Sequence, residues 1–384
     1  MKRRLLAGAP HDAAGVLPFS RARIALRLAF AAAAALTFAC GVLAGLARFG
    51  VTVPLHALSN AQWHGVLMLP IFFGAVVSVE RAVALGGGRH VCAPAAVMLA
   101  GLALLSGASP IWAQAMLIVG ATLALVDAWV LVRRQPALHL SILASSVSIW
   151  WFGDILWFAT GAPLFAVPSW LAFLVLTIAA ERLELTRMRP TPARARAVFV
   201  SIVVIMLAGI GWALRDPELG LRAFSACLLL LAAWLARYDI ARVTVRQRGL
   251  TRFIAVCLLS GYGWLALSGV LGLFGAWNAV HPWHDGALHA LTLGFVASMA
   301  LGHAPIVLPA LARLRVRYRP IFYLPLIALN ITLALRVGGV MTQAFALRRA
   351  GALGNALALL LFVIVMASAA WAARGEFRMT SSRR

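Results

Sequence analysis

Apolar runs of membrane-spanning length recur twelve times along this chain, with only short connections between them. A helix needs about 20 apolar residues to cross about 30 Å of hydrocarbon. On that scale the runs fall at about 25–48, 62–83, 91–107, 110–132, 137–160, 163–184, 197–214, 219–240, 251–275, 286–310, 320–337 and 350–373. They are too long, and alternate too little, for the strands of a membrane β-barrel. Backbone polar groups inside lipid must be satisfied within their own segment, which favours helices. The expected fold is therefore all-α: a polytopic membrane protein of about twelve transmembrane helices.

Composition agrees. The chain is 63% hydrophobic and 12% charged, against about 45–50% and about 25% in soluble domains. The net charge of +23 could suggest nucleic acid, but the charges lie in short arginine runs between apolar stretches. Lys2 is the one lysine. Cytoplasmic loops carry such an excess of basic residues. The runs are Lys2/Arg3/Arg4, Arg133/Arg134, Arg187/Arg189/Arg194/Arg196, Arg237/Arg242/Arg246/Arg248, Arg313/Arg315/Arg317/Arg319 and the C-terminal arginines. All fall on one side if twelve spans alternate. The other side receives Arg48, Arg215, Arg222, Arg336, Arg348 and Arg349. Both termini are thus expected in the cytoplasm, with the protein in a bacterial inner membrane and lipid as its surroundings. The basic N-terminus leads into a run of full spanning length, which reads as a first span and not as a cleaved signal. The resulting division is a cytoplasmic segment over 1–24, a transmembrane domain over 25–375 and a cytoplasmic tail over 376–384.

Ionisable groups inside a span are costly, and they usually face the bundle interior. Here they are His64, Asp127, His139, Asp154, His289 and His303, with Glu80–Arg81 closing span two and Glu181–Arg182 closing span six. The two Glu–Arg endings echo each other and fit interfacial anchors, or holders of haem propionates if a ring lies at that depth. His64 enters span two, and His289 enters span ten, from the same side. Two imidazoles at matched depth on different helices are what a haem iron uses as axial ligands. His303 follows His289 by 14 residues, about 40° short of four turns and about 21 Å along the helix. It is expected to serve a second site, with His139 as its partner. His281, His284 and His289, beside Asp285, are a donor set that copper accepts.

Other features bear on the same helices. Met68 lies one turn after His64, and Pro70 is expected to kink span two. Pro305 and Pro309 are expected to break the inner end of span ten. Gly294 and Gly302 admit a flat ring or a neighbouring helix. Cys40, Cys92, Cys227 and Cys257 are scattered singly, with no CxxCH. That disfavours covalently attached haem and a zinc knuckle; the haem expected is a non-covalent, b-type one.

The stretch Trp63-His64-Gly65-Val66-Leu67-Met68 resembles the His-Gly-x-x-Met segment on the second helix of haem–copper oxidase catalytic subunits. There the histidine ligates a low-spin haem whose other ligand lies on the tenth helix. His289-Ala290-Leu291-Thr292-Leu293-Gly294, with the later Gly302-His303, is similar to the NnrS family. That family comprises bacterial twelve-span proteins associated with haem, copper and nitric oxide. The resemblance covers the span count and two short motifs. It implies a haem-binding protein tied to the nitric oxide response or to respiratory electron transfer, with quinol or nitric oxide as small-molecule ligand. The departures are specific. Spans six and seven carry no histidine, so the copper centre of the oxidases has no ligands here, and Val66 and Leu67 stand where the NnrS pattern has histidine and glutamate. Two alternatives remain open at this point. One is a proton-coupled secondary transporter using Asp127 and Asp154; the other is an assembly factor for respiratory complexes. No P-loop, dinucleotide fingerprint or nucleophile–base constellation occurs, so no particular turnover is indicated.

Overall fold

The computed structural model describes residues 21–185, 191–312 and 316–381. Among these residues there is no strand, and twelve helices are long and apolar enough to cross a membrane. We number them α1 (Arg21–Ala47), α2 (Ala61–Ala84), α3 (Gly88–Leu105), α4 (Pro110–Arg134), α5 (Leu138–Thr160) and α6 (Pro163–Leu185). The second half comprises α7 (Ala193–Trp212), α8 (Pro217–Tyr238), α9 (Gly249–Leu273), α10 (His284–Val307), α11 (Pro320–Met341) and α12 (Phe345–Ala372). Each expected span is present. Lys2, Arg3, Arg4, Arg187, Arg189, Arg313, Arg315, Arg383 and Arg384 lie outside the described residues.

Local chemistry sets the ends. Pro110, Pro163, Pro217 and Pro320 each occupy a first helical turn, where the missing N–H costs nothing. Asp216 caps α8 by accepting from the Leu219 N–H at 3.0 Å. Gly161 closes α5 at φ 67°, a left-handed position that glycine fills without strain.

Two expected breaks take another form. Across Pro70 the chain stays helical by widening into a π-helix over Leu67–Phe73, which absorbs the lost hydrogen bond. Pro305 and Pro309 lie within a helix that runs on to Ala312. The helix of α12 likewise continues to Ser381, so the segment assigned to the tail begins as its extension.

The bundle is organised around α6. It is the most enclosed span, 67% buried over its apolar window, and it touches the π-helical segments of both α2 and α10. Trp170, Phe173 and Leu176 of α6 are fully buried, and Trp150 of α5 stacks on Phe173 at 4.8 Å. On one flank α2 packs against α1 and α3; on the other, α10 packs against α9 and α11. Lipid is as apolar as a core, so close packing rather than hydrophobicity holds these helices together. The side chains left on the outside, such as Trp112, Val204, Ile331 and Leu357, are accordingly apolar.

Candidate cofactor site

The two histidines that sequence placed at matched depth stand side by side. The His64 and His289 rings are 6.3 Å apart between centroids and within 16° of parallel. Face-to-face contact would bring ring atoms to about 3.5–4.0 Å. Two imidazoles bonded to one metal atom at about 2.0–2.1 Å each hold their centroids roughly 6 Å apart.

Their tautomers agree. His64 Nδ1 lies 2.7 Å from the Gly41 carbonyl oxygen. His289 Nδ1 lies 2.8 Å from the Asp285 carbonyl oxygen. A carbonyl only accepts, so each Nδ1 carries the proton and each Nε2 of the neutral ring keeps its lone pair. Orientation of a ligating imidazole through its other nitrogen is the usual arrangement at metal sites.

Helix α1 makes the seat for His64. A Cβ at Gly45 would lie 2.7 Å from His64 Cε1, and one at Gly41 would lie 2.7 Å from Met68 Sδ. Met68 therefore shares the His64 face, as its spacing implied, and both face α1. The signal for this was the Gly41-x-x-x-Gly45 spacing in span one, a small-residue motif that lets helices approach. Gly45→Ala is expected to push the imidazole out of its seat and to lower stability by about 1 kcal/mol. Gly211→Ala, where a Cβ meets nothing within 4 Å, should not lower it. Thermal melts of the two purified variants in detergent distinguish these outcomes.

Within three residues after each histidine the helix widens. The π-helical segments are Leu67–Phe73 in α2 and Ala290–Ala297 in α10. Such segments are rare and are frequent at functional sites. Gly294 and Gly302 admit a neighbouring helix and not a flat ring. Their Cβ positions fall against Trp264 and Cys257 of α9.

Behind His289 lies a charge cluster that sequence reasoning did not assemble. Asp285 accepts from Arg336 Nε at 3.0 Å and Arg336 Nη2 at 2.7 Å, and from Arg348 Nε at 3.1 Å. Its Oδ1 lies 3.2 Å from His289 Nδ1. Both guanidinium groups flank the Phe49 ring, at 5.1 and 5.2 Å. Two arginines that sequence assigned only to the sparsely charged side are thus anchored over the site.

The remaining candidates have other partners. His303 donates through Nδ1 to the Met299 carbonyl, and its Nε2 accepts from Arg182 Nη2 at 2.8 Å. The nitrogen that a second metal would use is therefore held by a cation. His139 Nε2 lies 3.7 Å from Glu184 Oε1, so the expected His303–His139 pairing is replaced by two separate polar contacts. His284 Nδ1 lies 2.9 Å from the Ala276 carbonyl oxygen, and His281 Nδ1 accepts from the Trp283 N–H at 3.1 Å. Among the described residues no three His, Cys, Asp or Glu side chains converge as a protein-built metal site requires. A haem brings its own four nitrogens and asks for two protein ligands, so it needs no such group.

The echoed Glu–Arg endings meet each other. Arg81 donates to Glu181 at 3.3 Å, tying α2 to α6, and Arg182 ties α6 to α10 through His303. Asp154 is fully buried and accepts from Trp170 Nε1 at 2.9 Å. Asp127 Oδ2 lies 2.8 Å from His90 Nδ1.

Helices α2, α6 and α10 thus form a central triplet. It is joined by one ion pair and one hydrogen bond at the arginine-rich face and carries a facing imidazole pair near the other. Fold and site together define a polytopic helical membrane protein with a two-histidine site at the heart of its bundle. The chain belongs to the family described as Domain of unknown function (DUF8744), whose model matches residues 27–371. No curated protein and no solved structure matches it.

Proposed function

We propose that this chain is an NnrS-like haem protein of the bacterial inner membrane, with His64 and His289 as axial ligands of one b-type haem. Its role would lie in respiratory electron transfer or the nitric oxide response, with quinol or nitric oxide as the small-molecule ligand. The observation that carries this reading is the separation of the two imidazoles, 6.3 Å at near-parallel planes, with both Nδ1 atoms engaged by carbonyls. The donor set fits the group: two neutral imidazoles, each with a free Nε2, facing each other from α2 and α10. Bound haem supplies a one-electron couple.

The chain's own residues do the positioning. The Gly41 and Asp285 carbonyls fix ring rotation and tautomer. Gly45 leaves the space that the His64 ring fills. Asp285 adds a carboxylate beside the His289 N–H, a second acceptor that holds the ring's orientation. Arg336 and Arg348 hold that carboxylate in place.

The test is a reduced-minus-oxidised absorption spectrum of the purified protein, expressed with haem supplementation. Wild type is expected to show a Soret band and sharp low-spin bands in the visible. His64→Ala and His289→Ala should each abolish the low-spin signature, while His303→Ala should leave it unaltered. A wild type without a Soret band, or alanine variants that both keep the wild-type spectrum, would overturn the proposal.

A further inference from the structure

A second polar site lies away from the histidine pair, towards the arginine-rich face. It is a cavity of ≈ 30 Å³ between α2, α3, α4 and α5, with Ser78, Arg81, His90, Asp127 and Trp150 among its lining residues. Three buried polar atoms in this wall have no hydrogen-bond partner: Ser78 Oγ, Arg81 Nε and Trp150 Nε1. Ser78 is 4% exposed and Trp150 fully buried. Leaving such donors unmet in an apolar medium costs about 1–3 kcal/mol each, so the wall as built calls for a guest that hydrogen-bonds.

The charges say which guest. Arg81 has its charge met by Glu181, and Asp127 has His90 at 2.8 Å. The wall is therefore close to neutral and offers donors and acceptors together. An anion would meet the Asp127 carboxylate; a cation would meet Arg81. A water occupies about 10–15 Å³ by this measure and wants two to four polar partners, so the cavity suits about two. Asp127 and His90 are 17% and 19% exposed at their side chains. They therefore reach the edge of the bundle, at the turn where Gly86, Gly87 and Gly88 take φ values of 87°, 77° and 65°. Only glycine enters that region freely.

We infer that this cavity is a water site through which the His90–Asp127 pair exchanges protons with the arginine-rich side of the membrane. A proton arriving from the aqueous side as hydronium passes to the pair and leaves a neutral cavity water, and it returns to that water by the same path; no electron moves and no other bond changes. The charged groups around Asp127 are His90 from the turn before α3, Arg81 from α2 with Glu80 preceding it, and Glu181 reaching the same guanidinium from α6. From α5 the lining contributes Leu143, Val147 and Trp150, none of them ionisable.

Hydroxyl-radical footprinting of the full chain in detergent, read by mass spectrometry, tests the water. Trp150 and Trp170 are both fully buried, but Trp170 Nε1 is held by Asp154. Trp150 is expected to oxidise several-fold faster than Trp170, and Ala124→Leu, which fills the cavity, should reduce it to the Trp170 rate. Infrared difference spectra across a pH step test the proton. Wild type should show a carboxyl band that shifts promptly in deuterium oxide and is missing in Asp127→Asn. His90→Gln should move the band without removing it. Equal oxidation of the two tryptophans in wild type overturns the water site. Identical infrared spectra for wild type and Asp127→Asn overturn the proton exchange.

Discussion

Asp285→Ala is expected to cost about 3–5 kcal/mol of stability, the range for removing one partner from a buried charge pair. The magnitude follows from what is left behind. Arg336 is 7% exposed, and both its Nε and Nη2 point at Asp285. Arg348 also donates to that carboxylate. Without it, two guanidinium groups lie against the same Phe49 ring with no anion between them. Arg348→Ala should cost much less, about 1 kcal/mol or under, because its side chain is 35% exposed and water takes over much of the lost interaction. Thermal or denaturant unfolding of the purified variants gives both values. Equal costs for the two would show that Asp285 is not the anchor of the cluster. The same substitution removes the carboxylate beside His289. Loss of such an outer partner typically weakens metal binding by about 10–100-fold, so under the proposed haem assignment haem retention in Asp285→Ala should fall even where the fold survives.

The spans were legible because lipid imposes one strict demand: a length of about 20 apolar residues. No tertiary contact competes with that, and every expected run became a helix. His64 and His289 were legible for a related reason, since an imidazole inside a span is rare enough to need a purpose. What remained hidden were partnerships across the bundle. Asp285 lies 51 positions from Arg336 and 63 from Arg348, and no local pattern joins them. Both arginines, Arg336 at the end of span eleven and Arg348 in the connection after it, had the look of ordinary topology residues. His303 had the look of a second ligand by helical periodicity, which says where a side chain points but not what meets it; Arg182 met it. Likewise Pro70 announced a disturbance in span two but not its form, and nothing in Ala290–Ala297 announced the matching π-helix of α10.

Gly351→Ala should be the most costly glycine substitution near the site, about 3 kcal/mol, at the upper end for overpacking. A Cβ at Gly351 would lie 2.4 Å from the Arg336 backbone nitrogen, and one at Gly339 would lie 2.4 Å from that of Arg348. Each glycine thus receives the backbone of the arginine on the opposite helix. A side chain could swing away from such an intrusion, as the His64 ring can at Gly45; backbone cannot, so α11 and α12 must separate. Separation carries Arg336 and Arg348 off Asp285. Gly351→Ala and Asp285→Ala should therefore be less than additive when combined, since each removes part of what the other depends on. Gly338→Ala is the matched control. It sits on the facing helix α11, beside Gly339, with nothing within 4 Å of its Cβ, and replacing a helical glycine there should be neutral or stabilise by about 0.5–1 kcal/mol. Melting curves for the three single variants and the double variant decide the matter. Strict additivity would mean that the close approach of α11 and α12 has no part in holding the arginines over His289.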